Sequence, residues 1–274
     1  MMVEALVYFF VPALVGVLIG IASGLLGIGG GTVMVPIFRL AFGMSATMST
    51  ATSLFAIIPT SISGAISHVK GKTCIPALGI AAGLGGACLS PVGVWLAQLS
   101  PDWLVMLAAA LIIGYSAINM FKKAFKLRPA GQPAAGVDAA APTADDSSLS
   151  RKQLLQGAAI GLVAGLASGY VGVGGGFIMV PLMLSVVGIP MRKASGTSLI
   201  AVMILAIPGV IEQGIIGNIN YLAGIAIVIG TIPGAVIGAR LVTKVPERTL
   251  RLLFGCFLIV AAVMLVLNEV GIFG

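Results

Sequence analysis

Two glycine-rich segments carry the residues of this chain best suited to chemistry, GIGGGTVMVP at 27–36 and GVGGGFIMVP at 172–181. Consecutive glycines let another group approach the backbone closely. A helix that starts just after them presents free N–H groups and the positive end of its dipole, and both attract an anion. The segments therefore predict a pair of anion-binding backbone sites, made by Gly29, Gly30, Gly31 and Thr32 in the first and by Gly174, Gly175 and Gly176 in the second.

A cluster of hydroxyl side chains follows each glycine segment. Hydroxyl groups can replace the water around an oxyanion without adding a charge. The candidates for this role are Thr50, Thr52, Ser53, Ser195, Thr197 and Ser198. The alternative is structural, because such hydroxyls also bond to neighbouring helices or to the carbonyl four residues earlier. The glycines have a structural alternative as well, which is to allow helices to cross closely.

The two segments belong to an internal repeat. Residues 23–54 align without a gap on residues 168–199 at a constant offset of 145, and 13 of the 32 positions are identical. The same offset relates Gly16, Gly20, Gly64 and Pro101 to Gly161, Gly165, Gly209 and Pro246. A glycine-broken apolar segment at matching places in two halves points to the binding site of a transporter.

The composition predicts an all-α polytopic membrane protein. The chain is 59% hydrophobic and 8% charged, with a mean hydropathy of +1.15, whereas soluble domains carry about 25% charged residues. Apolar stretches approach the ~20 residues that cross a bilayer as a helix; examples are 5–28, 74–97, 102–121, 221–239 and 252–267. The first stretch lacks a basic leader and is expected to be a retained helix.

The halves are predicted at 1–125 and 151–274, joined by a flexible linker at 126–150 that is rich in Ala, Pro, Asp and Ser. Each half reads as a long helix, the glycine break, a short segment (33–42 or 178–187) and three further helices, near 46–66, 74–97 and 102–121 in the first half. A short segment covers only ~18 Å as helix. It can cross a ~30 Å core only if the break lies inside the membrane.

The basic residues predict the topology, and their short clusters between apolar segments disfavour nucleic acid as a partner. With the linker in the cytoplasm, four crossings per half place 8 Lys and Arg inside and 7 outside, whereas five crossings place 14 inside and only Arg39 outside. The positive-inside rule favours five crossings. An odd number inverts the second half, so we predict two inverted repeats of about five membrane segments each. Glycine-broken helices lie near the midplane and both termini lie outside.

Several kinds of chemistry are disfavoured by what the chain lacks. All eight Asp and Glu lie near predicted helix ends or loops, so no mid-helix carboxylate is available as a proton relay. The three cysteines are far apart and form no CxxC pair, which disfavours a metal site. GIGGGT lacks the Lys-Ser/Thr of a phosphate-binding loop. We therefore predict no enzyme and no cofactor. The single histidine, His68, is expected at the cytoplasmic edge, with gating as the alternative role.

The two GxGGGxxxVP-type segments, each followed by an Ala/Gly-Thr-Ser-Leu helix, resemble the TauE/SafE sulfite exporter family, or TSUP permeases. The resemblance implies transport of sulfite or other small sulfur-containing anions, such as organosulfonates. The corresponding motif residues are Gly27, Gly29, Gly30, Gly31 and Pro36, with Gly172, Gly174, Gly175, Gly176 and Pro181. Phe177 stands where the first copy has Thr32, so the site is expected to be asymmetric.

The hypothesis is an inner-membrane exporter of a small sulfur-containing anion that works by alternating access. Lys70, Lys72, Arg192 and Lys193 would raise the local anion concentration at the cytoplasmic edge. Three alternatives stay open: a passive anion channel, a permease for an unrelated small solute, and a structural membrane protein.

Overall fold

The computed structural model describes residues 2–126 and 150–269, which fold into ten helices and one π-helical turn. The first-half helices are α1 (Met2–Leu26), α2 (Gly31–Phe42), α3 (Ala46–Lys70), α4 (Pro76–Leu99) and α5 (Asp102–Lys126). Those of the second half are α6 (Arg151–Val171), α7 (Gly176–Leu182) with the π-helical turn Met183–Val187, α8 (Met191–Ile216), α9 (Tyr221–Leu241) and α10 (Glu247–Glu269). Within these residues the all-helical prediction is confirmed. The predicted linker lies, apart from its two end residues, outside the described residues.

Seven of the helices, α3 to α6 and α8 to α10, are long and apolar enough to cross a membrane. The apolar helices Gly31–Phe42 and Gly176–Val187 are shorter, as expected of the segments that follow the glycine breaks. The predicted helices near 46–66, 74–97 and 102–121 correspond to α3, α4 and α5, which run two to five residues further at their C-terminal ends. His68, in the part of α3 that continues past the apolar stretch, is fully buried.

The two halves pack on each other through reciprocal helix pairs. α1 packs along α9, and α6, which corresponds to α1 in the repeat, packs along α4. In the same way α3 packs on α9 and α8 packs on α4. Two further pairs, α3 with α8 and α5 with α10, join corresponding helices directly. The halves therefore form one body in which each completes the packing of the other.

Glycines make the α1–α9 and α4–α6 contacts possible. A methyl group on Gly161 would overlap the backbone carbonyl of Ala82, and one on Gly230 would overlap the carbonyl of Ala13. In both interfaces the backbones touch at corresponding positions. The glycines at the α1–α9 interface are Gly16, Gly20 and Gly24 of α1 and Gly230, Gly234 and Gly238 of α9. Those of α6 at the α4–α6 interface are Gly161, Gly165 and Gly169, the counterparts of the three α1 glycines. Small residues let membrane helices approach this closely, where van der Waals packing has to supply the attraction.

Two acidic residues at corresponding positions fix the starts of two long helices. Asp102, in the first turn of α5, accepts a hydrogen bond from the backbone N–H of Ala46 at the start of α3, at 3.3 Å. Glu247, 145 residues later, accepts one from the N–H of Met191 at the start of α8, at 3.2 Å. A carboxylate at a helix N-terminus is stabilised by the free N–H groups and the helix dipole. Both acids thus tie the last helix of a half to its third helix.

We expect Gly161→Ala to lower the free energy of unfolding by about 1–3 kcal/mol or more, because the added methyl group meets backbone that has no rotamer to change. Gly114→Ala in α5 is the matched control, since a methyl group there meets nothing within 4 Å. That change is expected to be neutral or to stabilise the helix by up to about 1 kcal/mol. Thermal unfolding in detergent measures both, and equal midpoints for the two variants would contradict the packing argument.

Candidate functional site

Each glycine segment breaks its helix by the same backbone geometry. In the first break Gly27, Gly29 and Gly30 have φ angles of 76°, 81° and 86°. In the second, Gly172, Gly174 and Gly175 have φ angles of 71°, 87° and 66°. L-residues rarely adopt this left-handed conformation, which glycine adopts at no steric cost. Gly30 and Gly175 are the N-cap residues of α2 and α7 and offer no side chain that could cap them.

The two breaks lie against each other in the interior. A Cβ atom added to Gly31 would lie 2.6 Å from the carbonyl oxygen of Val173, in the second break. One added to Gly176 would overlap the carbonyl of Gly27 and lie 2.9 Å from Ile28, in the first break. The pair of buried breaks predicted from the sequence is therefore brought together, and all of these residues are buried.

Two aliphatic side chains at corresponding positions fill the space beside the breaks. Ile57 of α3 approaches both, with its Cδ1 atom 2.5 Å from an added Cβ on Gly31 and 2.8 Å from one on Gly174. Val202 of α8, its repeat counterpart, lies 3.0 Å from an added Cβ on Gly29. Both side chains are fully buried. They form an apolar contact at the meeting point of the breaks.

Several hydroxyl groups near the breaks are fully buried and have no hydrogen-bond partner among the described residues. They include the counterparts Ser23 and Ser168, which lie one turn before the end of α1 and of α6, and Thr32 in the first turn of α2. Three more line α3: Ser49, Ser53 and Ser61. Burying a hydroxyl without a partner costs about 1–3 kcal/mol, so this concentration calls for a functional reason.

Two of the sequence-predicted hydroxyls have structural partners. The Thr52 Oγ1 atom accepts the backbone N–H of Asn220 at 3.0 Å, just before α9. The Thr197 Oγ1 atom accepts the N–H of Ile75 at 2.9 Å, just before α4, and donates to the carbonyl of Lys193 at 2.7 Å. The pairs correspond by the offset of 145. Each threonine satisfies a backbone N–H at the start of a helix in the other half.

The remaining predicted hydroxyls differ between the halves. Thr50 donates to the carbonyl of Thr47 at 2.9 Å, and Ser195 donates to that of Met191 at 3.0 Å. Ser198 donates to the carbonyl of Gly27, in the first break, at 2.6 Å, whereas its counterpart Ser53 is unpartnered. The structure therefore places Ser198 and Ser53 in different roles despite their shared motif.

His68, in the last turn of α3, is buried within the protein. Its ring is fully buried, with Nε2 2.8 Å from the carbonyl oxygen of Gly24 and Nδ1 2.7 Å from the hydroxyl of Thr73. Because a carbonyl only accepts, Nε2 carries a proton and donates it to Gly24, just before the first break. The counterparts Gln213 and Asn218 bond to each other in the same way at 2.8 Å. The burial of His68 was not predicted from the sequence. The sequence does contain a sign of it, because polar residues occupy the positions of His68 and Thr73 in both halves.

Neither Ser61 nor Ile57 was predicted from the sequence to lie near the breaks. Their spacing could have indicated it, since Ser49, Ser53, Ile57 and Ser61 are spaced by four and share one face of α3. The predicted hydroxyls were mostly those that recur in both halves, and the counterparts of Ser49 and Ser61 are alanines, Ala194 and Ala206.

Comparison with known proteins agrees with these features. The sulfite exporter TauE/SafE family matches residues 12–265, nearly the whole chain. The chain belongs to the TauE/SafE family. It is thus a multi-pass membrane protein of a transporter family rather than an enzyme.

Several relatives align along almost their full lengths. The probable membrane transporter protein YunE of Bacillus subtilis is 28% identical over 97% of this chain and 99% of the relative. YdhB of the same organism is 28% identical over 87% of this chain and 92% of the relative. A probable membrane transporter protein of Haemophilus influenzae is 29% identical over 93% and 97%. No solved structure matches the chain.

The hydrogen bonds predict that the same change, Thr→Val, affects stability differently at different positions. Thr52→Val and Thr197→Val should each lower the free energy of unfolding by about 1–3 kcal/mol, because a backbone N–H loses its acceptor. Thr32→Val should change it by less than about 0.5 kcal/mol, or raise it, because the buried Thr32 hydroxyl has no partner to lose. Unfolding in detergent without added anion is the measurement. A loss at Thr32 as large as at Thr52 would show that Thr32 is bonded in the protein.

Proposed function

We propose that this TauE/SafE protein transports a small sulfur-containing anion, such as sulfite or an organosulfonate, by alternating access. The observation that carries the proposal is the contact between the two glycine breaks, with buried hydroxyls nearby that have no hydrogen-bond partner in the described part of the chain. Such groups are suited to donate to an oxyanion in place of water. Irregular backbone at membrane depth is tolerated where it is packed in protein or lines a polar cavity.

The proposed site comprises the backbone of Gly29, Gly30, Gly31 and Thr32 with that of Gly174, Gly175 and Gly176, and hydroxyls from α3 and α8. Among the predicted hydroxyls, Ser53 is unpartnered, and Thr50, Ser195 and Ser198 donate only to nearby backbone carbonyls, which an anion could replace. Thr52 and Thr197 shape the site indirectly by holding the starts of α9 and α4.

Inverted repeats are part of the proposal. They are supported by the reciprocal helix pairs, because the contacts of α1 and α3 with α9 recur at the offset of 145 as those of α6 and α8 with α4, with the roles of the halves exchanged. Two such copies, related by an axis in the membrane plane, can each adopt the packing arrangement of the other. When they exchange arrangements, a site between them that was open to one side of the membrane opens to the other side. The charge distribution supports five crossings per half, a cytoplasmic linker and outer termini in the inner membrane.

Labelling with a membrane-impermeant maleimide tests this topology in a variant whose three native cysteines are replaced. We expect a cysteine at Pro101, in the exposed turn between α4 and α5, to be labelled in intact cells. A cysteine at Thr243, in the exposed turn after α9, should be labelled only after the membrane is permeabilised, because five crossings per half place this turn in the cytoplasm. Four crossings per half place it outside, so labelling of both cysteines in intact cells would exclude the five-crossing arrangement.

Counterflow in proteoliposomes tests the transport mechanism. Vesicles loaded with unlabelled sulfite should accumulate labelled sulfite transiently, and the initial rate should saturate with concentration, because a carrier exchanges one bound anion at a time. A passive channel gives neither counterflow nor saturation. Binding is checked separately by thermal unfolding, where a ligand at 100 times its Kd adds about 2.7 kcal/mol. The absence of binding and flux for all sulfur-containing anions would remove the proposed substrate class.

A further inference from the structure

One face of α3 carries a row of buried hydroxyls. Ser49, Ser53, Ile57 and Ser61 are spaced by four residues, and all four are fully buried. The three serine hydroxyls have no partner among the described residues. Serines in helices usually donate to a carbonyl three or four residues earlier, as Thr60 beside them does to Ala56 at 2.7 Å. These serines therefore keep their donor capacity for something else.

The corresponding face of α8 lacks this capacity. Its residues at the offset of 145 are Ala194, Ser198, Val202 and Ala206. The only hydroxyl among them, that of Ser198, is close to the carbonyls of Gly27 and Ser195, at 2.6 and 2.8 Å. Free hydroxyl donors thus lie on the α3 side of the breaks, and the α8 side is apolar or already bonded.

The start of α2 lies among these free donors. An added Cβ on Gly29 would lie 3.5 Å from the Ser61 Oγ atom, and one on Gly30 would lie 3.6 Å from the Cβ of Ser23. Thr32 is in the first turn of α2, whose first N–H groups precede the first intrahelical bonds, from Val33 and Met34 to the carbonyl of Gly30. Two unpartnered serines therefore lie beside the glycines that precede α2, and an unpartnered threonine lies in the first turn, at the positive end of a 12-residue helix.

This place is electrically neutral. Residues 23–32, 49–61, 168–177 and 194–206 include no Lys, Arg, Asp or Glu, and His68 is the only buried ionisable residue among those the structure describes. The Born cost of burying an ion rises with the square of its charge, so a dianion costs about four times as much as a monoanion of similar size. Hydroxyls and a helix dipole, without a full positive charge, compensate the smaller cost far better.

We propose that Ser23, Thr32, Ser61 and the N-terminus of α2 form the binding site for a singly charged oxyanion head, such as a monosulfonate or hydrogen sulfite, and select it over dianions. This inference rests on the proposed function and narrows its substrate. Ile57 separates this site from Ser53 and Ser49, which continue the hydroxyl row along α3. An anion leaving the site along that row has to pass the Ile57 side chain.

Isothermal titration of the purified full-length protein in detergent tests the site, with methanesulfonate as the monoanion and sulfate and thiosulfate as dianions. We expect methanesulfonate to bind at least about ten-fold more tightly than either dianion. Sulfite should bind more weakly as the pH is raised from mildly acid to mildly alkaline, because it then loses its proton and becomes a dianion. Acetate and nitrate are included as monoanions without sulfur.

Ser61→Ala and Thr32→Val should each weaken methanesulfonate binding about ten-fold or more, the loss expected for a hydrogen bond to a charged group. Both changes resemble the second half, where Ala206 replaces Ser61 and the apolar Phe177 replaces Thr32. Ser90→Ala is the control, because Ser90 is also buried and unpartnered but lies against Gly169 and Gly209, and its counterpart is Ala235. Its affinity should equal that of the unmodified protein.

The outcomes separate the two proposals. Equal affinity for methanesulfonate and sulfate would overturn the charge selection and leave sulfur-anion transport intact. Unchanged affinity in both Ser61→Ala and Thr32→Val would overturn the location of the site. Binding of acetate or nitrate but of no sulfur-containing anion, lost in Ser61→Ala, would keep the site and overturn the proposed substrate class. If no anion binds, both proposals are wrong.

Discussion

The whole structure depends on the requirement that backbone N–H and C=O groups inside a membrane find partners within the protein. A continuous helix meets this requirement by itself, because its backbone groups bond to each other. The two broken helices leave some of these groups unbonded, so the breaks have to be buried within the protein. The chain buries each break against the other, with Gly31 on Val173 and Gly176 on Gly27. Such proximity requires closely packed helices around the centre, which the glycine interfaces of α1 with α9 and of α4 with α6 provide.

The two halves retain some pairs of corresponding residues and have diverged at others, and the division follows their physical roles. The retained pairs hold the scaffold, as Thr52 and Thr197 do at the starts of α9 and α4 and as Asp102 and Glu247 do at the starts of α3 and α8. Two pairs beside the breaks have diverged, Thr32 with Phe177 and Ser61 with Ala206. A scaffold that is shared by both halves needs the same bonds in each, whereas a ligand has its own shape and needs no such repetition.

This division explains what the sequence could predict. Hydropathy and the glycine segments determine the helices and their breaks, because length and backbone freedom are local properties. The hydrogen-bond partner of Thr52 is not local, since Asn220 lies 168 residues away, and Ser53 has no partner among the described residues. Because all four recur, the sequence made Thr52 and Thr197 candidates for anion binding equal to Ser53 and Ser198. A hydroxyl that makes the same structural hydrogen bond in both halves recurs as well, as Thr52 and Thr197 do. Ser61 was not predicted because its counterpart is Ala206, so its hydroxyl does not recur in the second half.

The packing also constrains how the centre could open. Alternating access requires the two breaks to change their contact, and the α1–α9 and α4–α6 interfaces cannot slide easily, because their backbones touch and packed interfaces are bistable rather than continuously deformable. Each of these pairs contains one helix from each half. The rigid units are therefore expected to combine helices of both repeats. Movement then falls to the contacts of α2 and α7, where the two breaks meet and where Ile57 and Val202 form the apolar contact between them.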